Sequence, residues 1–233
     1  MAALFALADL HLSLSGAKPM DIFGEAWVGH AAKMAERWDR RVGADDDVLL
    51  PGDLSWARDL EEAAADLGWI AERPGRKLLL RGNHDSWWSS ASKVRRALHD
   101  SCTILQNDAH LVAGRVVVGA RGWTAPDDPT AEPGDARIHE RELGRLRSSI
   151  QFADRAFGRE PPRVAMVHYP PWIEGRAPTR VVEILREGGV GTCVYGHLHG
   201  QDHRLGVQGE RDGIRFVLAA ADAIGFAPLE LDV

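Results

Sequence analysis

The side chains able to do chemistry in this sequence gather in five short groups: Asp9-Leu10-His11, Gly52-Asp53, Gly82-Asn83-His84-Asp85, His168, and Gly196-His197-Leu198-His199. Each follows an apolar run, and five of the ten histidines lie in them. In D-x-H and H-x-H the side chains are two apart, so in extended backbone they project to the same side and can grip one small object. The donors are Asp9, His11, Asp53, Asn83, His168, His197 and His199. Seven donors exceed the four of a structural zinc site; they suit two divalent cations that share a carboxylate. Mixed imidazole and carboxylate ligation favours Mn, Fe, Zn, Co or Ni over Ca or Mg. No thiolate belongs to the set, which excludes an iron–sulfur cluster or a Cys-type zinc site here. Singly, D-x-H and G-D are common turn chemistry, and a lone His168 reads as a core histidine. Their recurrence at five strand ends carries the argument.

Such groups need strands to hold them at one edge. Apolar runs at 4–8, 47–53, 77–80, 102–105, 110–114, 116–120, 163–168 and 192–197 read as strands. Helix-spaced apolar residues predict helices over 28–42, 58–72, 89–99, 136–156 and 179–187, the third capped by Ser89 or Ser90. The tail segments 202–208, 214–220 and 229–233 read as antiparallel strands of a meander. The β-α-β rhythm implies a mostly parallel α/β arrangement, with two packed sheets flanked by helices in one domain over 1–233. In such sheets ligands bind at the C-terminal ends of the strands, where all five groups fall.

Composition narrows the function classes. The chain is 45% hydrophobic with a net charge of −6. It carries no basic stripe, so long nucleic acid is a poor partner. No run approaches the ~18 apolar residues of a membrane span. The apolar start is broken by Asp9 and lacks a basic lead, so it reads as a strand and not a signal peptide. Cys102 and Cys193 are read as reduced, buried thiols. A soluble, cytoplasmic protein is expected; the oligomeric state is not legible. There is no H-E-x-x-H for a zinc peptidase and no G-x-S-x-G for a serine hydrolase.

The ordered series D-x-H (9–11), G-D (52–53), G-N-H-D (82–85), His168 and G-H-x-H (196–199) resembles the calcineurin-like metallophosphoesterase superfamily. The resemblance implies a β-sandwich flanked by helices, with a two-metal centre. It assigns one metal to Asp9, His11, Asp53 and His199, and the other to Asp53, Asn83, His168 and His197. Asp53 bridges, and His84 is the catalytic histidine. It implies in-line hydrolysis of a phosphomonoester or phosphodiester by a hydroxide bridging two divalent cations, with manganese the first choice. Asp85 is expected to orient an imidazole or a backbone group. The Ser/Thr protein phosphatase branch has G-D-x-V-D-R-G in its second block and Glu at the end of its third. Here "PGDLSWA" and Asp85 stand there, which places the chain with the compact bacterial-type members.

Substrate clues are thinner. Arg121 and Trp123, after strand 116–120, are read as substrate-binding: Arg121 as a clamp on a phosphate oxygen, Trp123 in an aromatic wall with Trp56, Trp87, Trp88 and Trp172. Against the wall stands ordinary packing of loops on a sheet, most of all for Trp56. The acidic loop 125–135 would favour a small phosphoester. The competing readings are a nuclease of the same superfamily and, in another class, a non-catalytic scaffold on the same fold.

Overall fold

The computed structural model describes residues 2–16 and 18–232. Two sheets lie face to face. In the first, β1 (Leu4–Ala6), β2 (Asp47–Pro51), β3 (Arg76–Leu80) and β4 (Cys102–Ile104) run parallel. β11 (Leu229–Glu230) is added antiparallel to β1. In the second, β6 (Arg115–Ala120), β7 (Arg163–Val167), β8 (Val190–Tyr195) and β10 (Ile214–Leu218) are parallel. The edges are the antiparallel strands β5 (His110–Val112) and β9 (Gly209–Arg211).

Strand periodicity divides the apolar side chains between two faces. Leu4 and Ala6, Leu78 and Leu80, Val164 and Met166, and Val117 fill the space between the sheets. Phe5 and Leu7, Val48 and Leu50, and Leu79 face the other way, toward α1 (His30–Arg41), α2 (Ala64–Glu72) and α3 (Ala91–Ala97), with Met34, Trp38, Ile70 and Val94 completing that core. On the opposite side Val116 and Val118, Ala165 and Val167, and Phe216 meet α4 (Asp135–Phe157) and α5 (Arg180–Glu187). Both faces of both sheets are therefore covered, which is why the parallel strands read as near-continuous apolar runs.

The two sheets meet at their C-terminal edge. Ala8 N–H donates to the Ala219 carbonyl at 2.7 Å, and Ala221 N–H to the Ala8 carbonyl at 3.0 Å. This short parallel bridge ties the end of β1 to the end of β10.

Three expectations are corrected. The helix predicted over 58–72 begins at Ala64; in the turn before it Asp59 Oδ1 accepts from Glu62 N–H and Glu62 accepts from Arg58 N–H. The segment 202–208 is not a strand: a 3-10 helix covers Gly200–Leu205, anchored where Gly200 N–H donates to Asp222 at 2.9 Å. The tail is not a simple meander, because β10 lies parallel to β8. Ser90 caps α3, accepting from Lys93 N–H. Both cysteines are buried and free. Among the described residues no helix is long and apolar enough to cross a membrane.

Candidate metal centre

The strand ends of both sheets converge on one cleft. Asp9 and His11 follow β1, Asp53 follows β2, and Asn83 and His84 follow β3; His168 follows β7, and His197 and His199 follow β8. Two donor clusters result, Asp9 with His11 and His199, and Asp53 with His168 and His197. Each draws on both sheets. Asp53 Oδ2 lies 3.4 Å from His168 Nε2 and 3.8 Å from His11 Nε2, so one carboxylate faces both clusters. Asn83 Oδ1 is 2.7 Å from His168 Nε2 and 3.0 Å from His197 Nδ1, and so joins the second.

The local backbone departs from expectation. Asp9, His11, Asp53 and His197 have φ of 59°, 45°, 54° and 73°, the left-handed region that L-residues rarely adopt. The D-x-H pair therefore converges through a tight turn, not through extended backbone. Four such residues cost of order 1–3 kcal/mol each. Continued pairing past the strands offsets this: Asp9 N–H donates to Gly52 O and His11 N–H to Asp53 O, both at 2.9 Å. The glycines are needed as well. A Cβ at Gly82 would run into Asp53, and one at Gly196 into Asp9.

Asp85 fastens the second block. Its buried carboxylate accepts from the N–H groups of Gly82, Asp53, Leu54 and Ser55 at 2.7–3.1 Å and from Trp87 Nε1 at 3.0 Å. Of the two expected roles it is the backbone that it orients, and with it the turn carrying Asp53. Burial and the Asp53 charge push it up to about 6.

The outer ring nitrogens set which lone pairs face inward. His168 Nδ1 sits 2.9 Å from the Pro51 carbonyl, an acceptor only, so it carries the proton and Nε2 points to the cluster. His199 Nδ1 sits 2.9 Å from Asp222 Oδ1, leaving Nε2 inward, 3.2 Å from His11 Nε2. Asp222 escaped the sequence reading. It follows β10 as the other groups follow their strands, but its pairing with His199 shows only once the strands are placed.

Burial and the mutual proximity of these groups shift their titrations. Burial pushes Asp9 up to about 7, against the pull of His168 and His199. Burial would raise Asp53 too, but the surrounding imidazoles His168, His11 and His84 hold it far below the carboxylate range. Burial drives His11 and His197 down to about 3. Against burial, Asp53 and Asp9 lift His168 to about 9. Buried carboxylates, an amide oxygen and imidazole nitrogens converge here with more acceptors than donors, and the proton lifted onto His168 is the one the crowded carboxylates retain. That is a donor set for divalent cations, and the residues fit them.

His84 stands apart from the clusters, half exposed, with Nε2 4.0 Å from Asp53 Oδ2. Its backbone N–H donates to Asp53 Oδ1 at 2.8 Å, and the Trp56 ring lies 4.3 Å from its imidazole. The cleft in front, about 510 Å3, is walled by Trp27, Trp56, Met20 and Phe23, with Lys18 at the mouth. Lys18 Nζ lies 3.2 Å over the Trp56 ring.

The chain matches the calcineurin-like phosphoesterase family over residues 3–201. It belongs to that family. Among curated proteins this phosphoesterase-family chain is similar to the Gene 66 protein of Mycobacterium phage L5, 40% identical over 78 residues, and to that of Mycobacterium phage D29, 46% identical over 61 residues. These matches cover 34% and 25% of this chain and 37% and 30% of those proteins, so the chain spans about a third of the length of the relatives it matches. Among solved structures it is similar to phosphopantetheinyl hydrolase (PptH) of Mycobacterium tuberculosis, with a TM-score of 0.60 and 14% identity. It is also similar to AQ665 of Aquifex aeolicus, a protein of unknown function, with a TM-score of 0.53 and 16% identity. In both cases 99% of this chain and 96% of the other are covered, and at such identities the likeness is one of fold.

Arg121 and Trp123, the residues expected to bind substrate, lie away from this cleft. The Arg121 guanidinium turns toward Glu142 and lies 4.4 Å over the Trp123 ring. Trp123 Nε1 donates to Asp135 at 2.7 Å. Neither residue lines the cleft; each finds its polar partner on α4. Of the expected aromatic wall Trp87, Trp88 and Trp172 are buried in cores, where indoles pack, whereas Trp56 lines the cleft together with Trp27.

Proposed function

We propose that this chain is a metal-dependent phosphoesterase hydrolysing a small phosphomonoester or phosphodiester. The observation that carries this reading is the pair of donor clusters facing a single carboxylate, Asp53, at the floor of an open cleft. Asp9, His11, Asp53 and His199 would hold one cation; Asp53, Asn83, His168 and His197 would hold the other. When bound, two such cations supply an activated water at neutral pH and Lewis-acid stabilisation of phosphoryl oxygens. Manganese is the first choice for the mixed imidazole–carboxylate set, with Fe, Zn, Co and Ni the alternatives.

The chain's own groups do the rest. Two divalent charges against Asp9 and Asp53 leave the floor of the cleft positive within a protein of net −6, which draws a phosphate to it. His84 reaches into the cleft beside Asp53, held by the Trp56 ring and by its own backbone bond. From there it donates a hydrogen bond, or its proton, to the phosphoryl or leaving oxygen. Lys18 at the mouth adds a positive charge over Trp56. The apolar walls, Trp27, Met20 and Phe23, suit an ester whose alcohol part is flat or apolar.

The test is turnover of p-nitrophenyl phosphate, its bis ester and cyclic nucleotides after loading with Mn2+ and, in parallel, with Fe, Zn, Co and Ni. Hydrolysis of at least one, abolished by chelation, is expected. Hydrolysis of the bis ester alone would make it a diesterase. No turnover with any of the five metals would overturn the reading.

A further inference from the structure

A second pocket, of about 90 Å3, opens at the ends of β3 and β6 against α4 and shares no lining residue with the metal cleft. That space exceeds the ~10–15 Å3 one water needs. Arg81, the residue after β3, Arg121, the residue after β6, and Arg145 of α4 line it, with Ser89, Gln106 and Asn107 as neutral polar neighbours. Glu142 is the sole acid in its wall.

The charges there do not balance. Arg145, Arg121 and Arg141 approach the same oxygen, Glu142 Oε1, at 2.8, 3.5 and 3.7 Å. Glu142 Oε2 is buried without a hydrogen-bond partner among the described residues, and so are Arg81 Nε and Arg121 Nε. The acids that face Arg81 are Asp85 and Glu142, and Asp85 is already engaged by five N–H donors. Four guanidinium groups, Arg81, Arg121, Arg141 and Arg145, against the Glu142 and Asp85 carboxylates leave an excess of two positive charges, and of the four it is Arg81 and Arg121 whose Nε is buried without a partner among the described residues. Unpaired buried charge is costly unless a counter-ion supplies acceptors. Gln106 adds a donor: Trp88 Nε1 occupies its Oε1 at 3.0 Å, so its amide NH2 is the free end.

We propose that this pocket is an oxyanion site that takes a phosphate group, free or carried on a small ester, on Arg81, Arg121 and Arg145, without help from the metals. A tetrahedral dianion offsets more of the excess than a carboxylate does, and it presents oxygens in several directions to guanidinium forks arriving from two strand ends and a helix. Arg121 is thus a phosphate ligand in a pocket of its own.

The experiment is calorimetric titration of the full chain, stripped of metal by chelation, with inorganic phosphate and with glycerol phosphate. Saturable binding of at least one is expected. It should weaken about tenfold or more in Arg121→Ala and in Arg81→Ala, and stay within about twofold in His197→Ala, since metal ligation plays no part. Arg121→Lys and Arg81→Lys, which keep the charge and lose the fork, should also weaken binding and serve if an alanine variant does not fold. Binding of free phosphate alone marks the ion as the ligand; equal binding of the ester marks a phosphorylated metabolite. No saturable binding to the parent chain would overturn the proposal. So would binding abolished by His197→Ala and untouched by all the arginine variants. Because no turnover is measured, failure here leaves the phosphoesterase reading standing, and the reverse holds too.

Discussion

Asp53 sits where two demands meet: one of its oxygens faces a histidine of each donor cluster, while its backbone is locked by Asp85. Asp53→Ala should therefore empty both cation positions at once, read as metal content per chain after dialysis. His84 faces the cleft without belonging to either cluster. His84→Ala should keep the metal content and lose about 10²–10⁴-fold in turnover; loss of metal with full activity per metal would contradict its role. Asp222 accepts from His199 Nδ1 on one oxygen and from Gly200 N–H on the other. Asp222→Asn leaves the shape and weakens control of the imidazole's inward lone pair. Metal affinity should fall roughly 10–100-fold, read by competition with a chelating dye, with the melting temperature of the metal-free chain little changed.

At the scale of elements, the strand before each candidate donor was legible because burial on both faces makes a parallel strand an unbroken apolar run, as in Leu78-Leu79-Leu80 before Gly82. The chemistry-bearing groups were legible because they follow those runs directly. What stayed hidden depended on contacts distant in sequence. Asp222 reads as an ordinary acid until β10 is placed parallel to β8, which brings it beside His199. Arg121 and Trp123 sit at the right edge, but which way they turn was decided by Glu142 and Asp135 on α4, which periodicity cannot reveal. Trp56, the tryptophan that sequence reasoning favoured least for the cleft, lines it. The tight turns at Asp9 and Asp53 were invisible for the same reason, since only the closed site over-determines their φ. Gly82→Ala tests that closure: its Cβ would collide with Asp53. The variant should lose metal binding and, by backbone displacement in a buried turn, about 1–3 kcal/mol of stability by urea denaturation.

At the scale of the molecule, each donor cluster takes residues from both sheets, so the site exists only while the sheets are docked. The inter-sheet core around Leu49, Val117, Val164 and Met166 and the Ala8–Ala220 bridge keep them so. Met166 is fully buried there; Met166→Ala should cost about 2–5 kcal/mol. Cations that bind the folded chain and not the unfolded one must conversely raise its melting temperature, by an increment that grows with their concentration. The central claim is that two cations share this seam about Asp53. Crystals grown with Mn2+ and measured for anomalous scattering test it most directly. Two peaks are expected, one against Asp9, His11 and His199 and one against Asn83, His168 and His197, with Asp53 touching both. A single peak, or manganese bound away from these side chains, would contradict it.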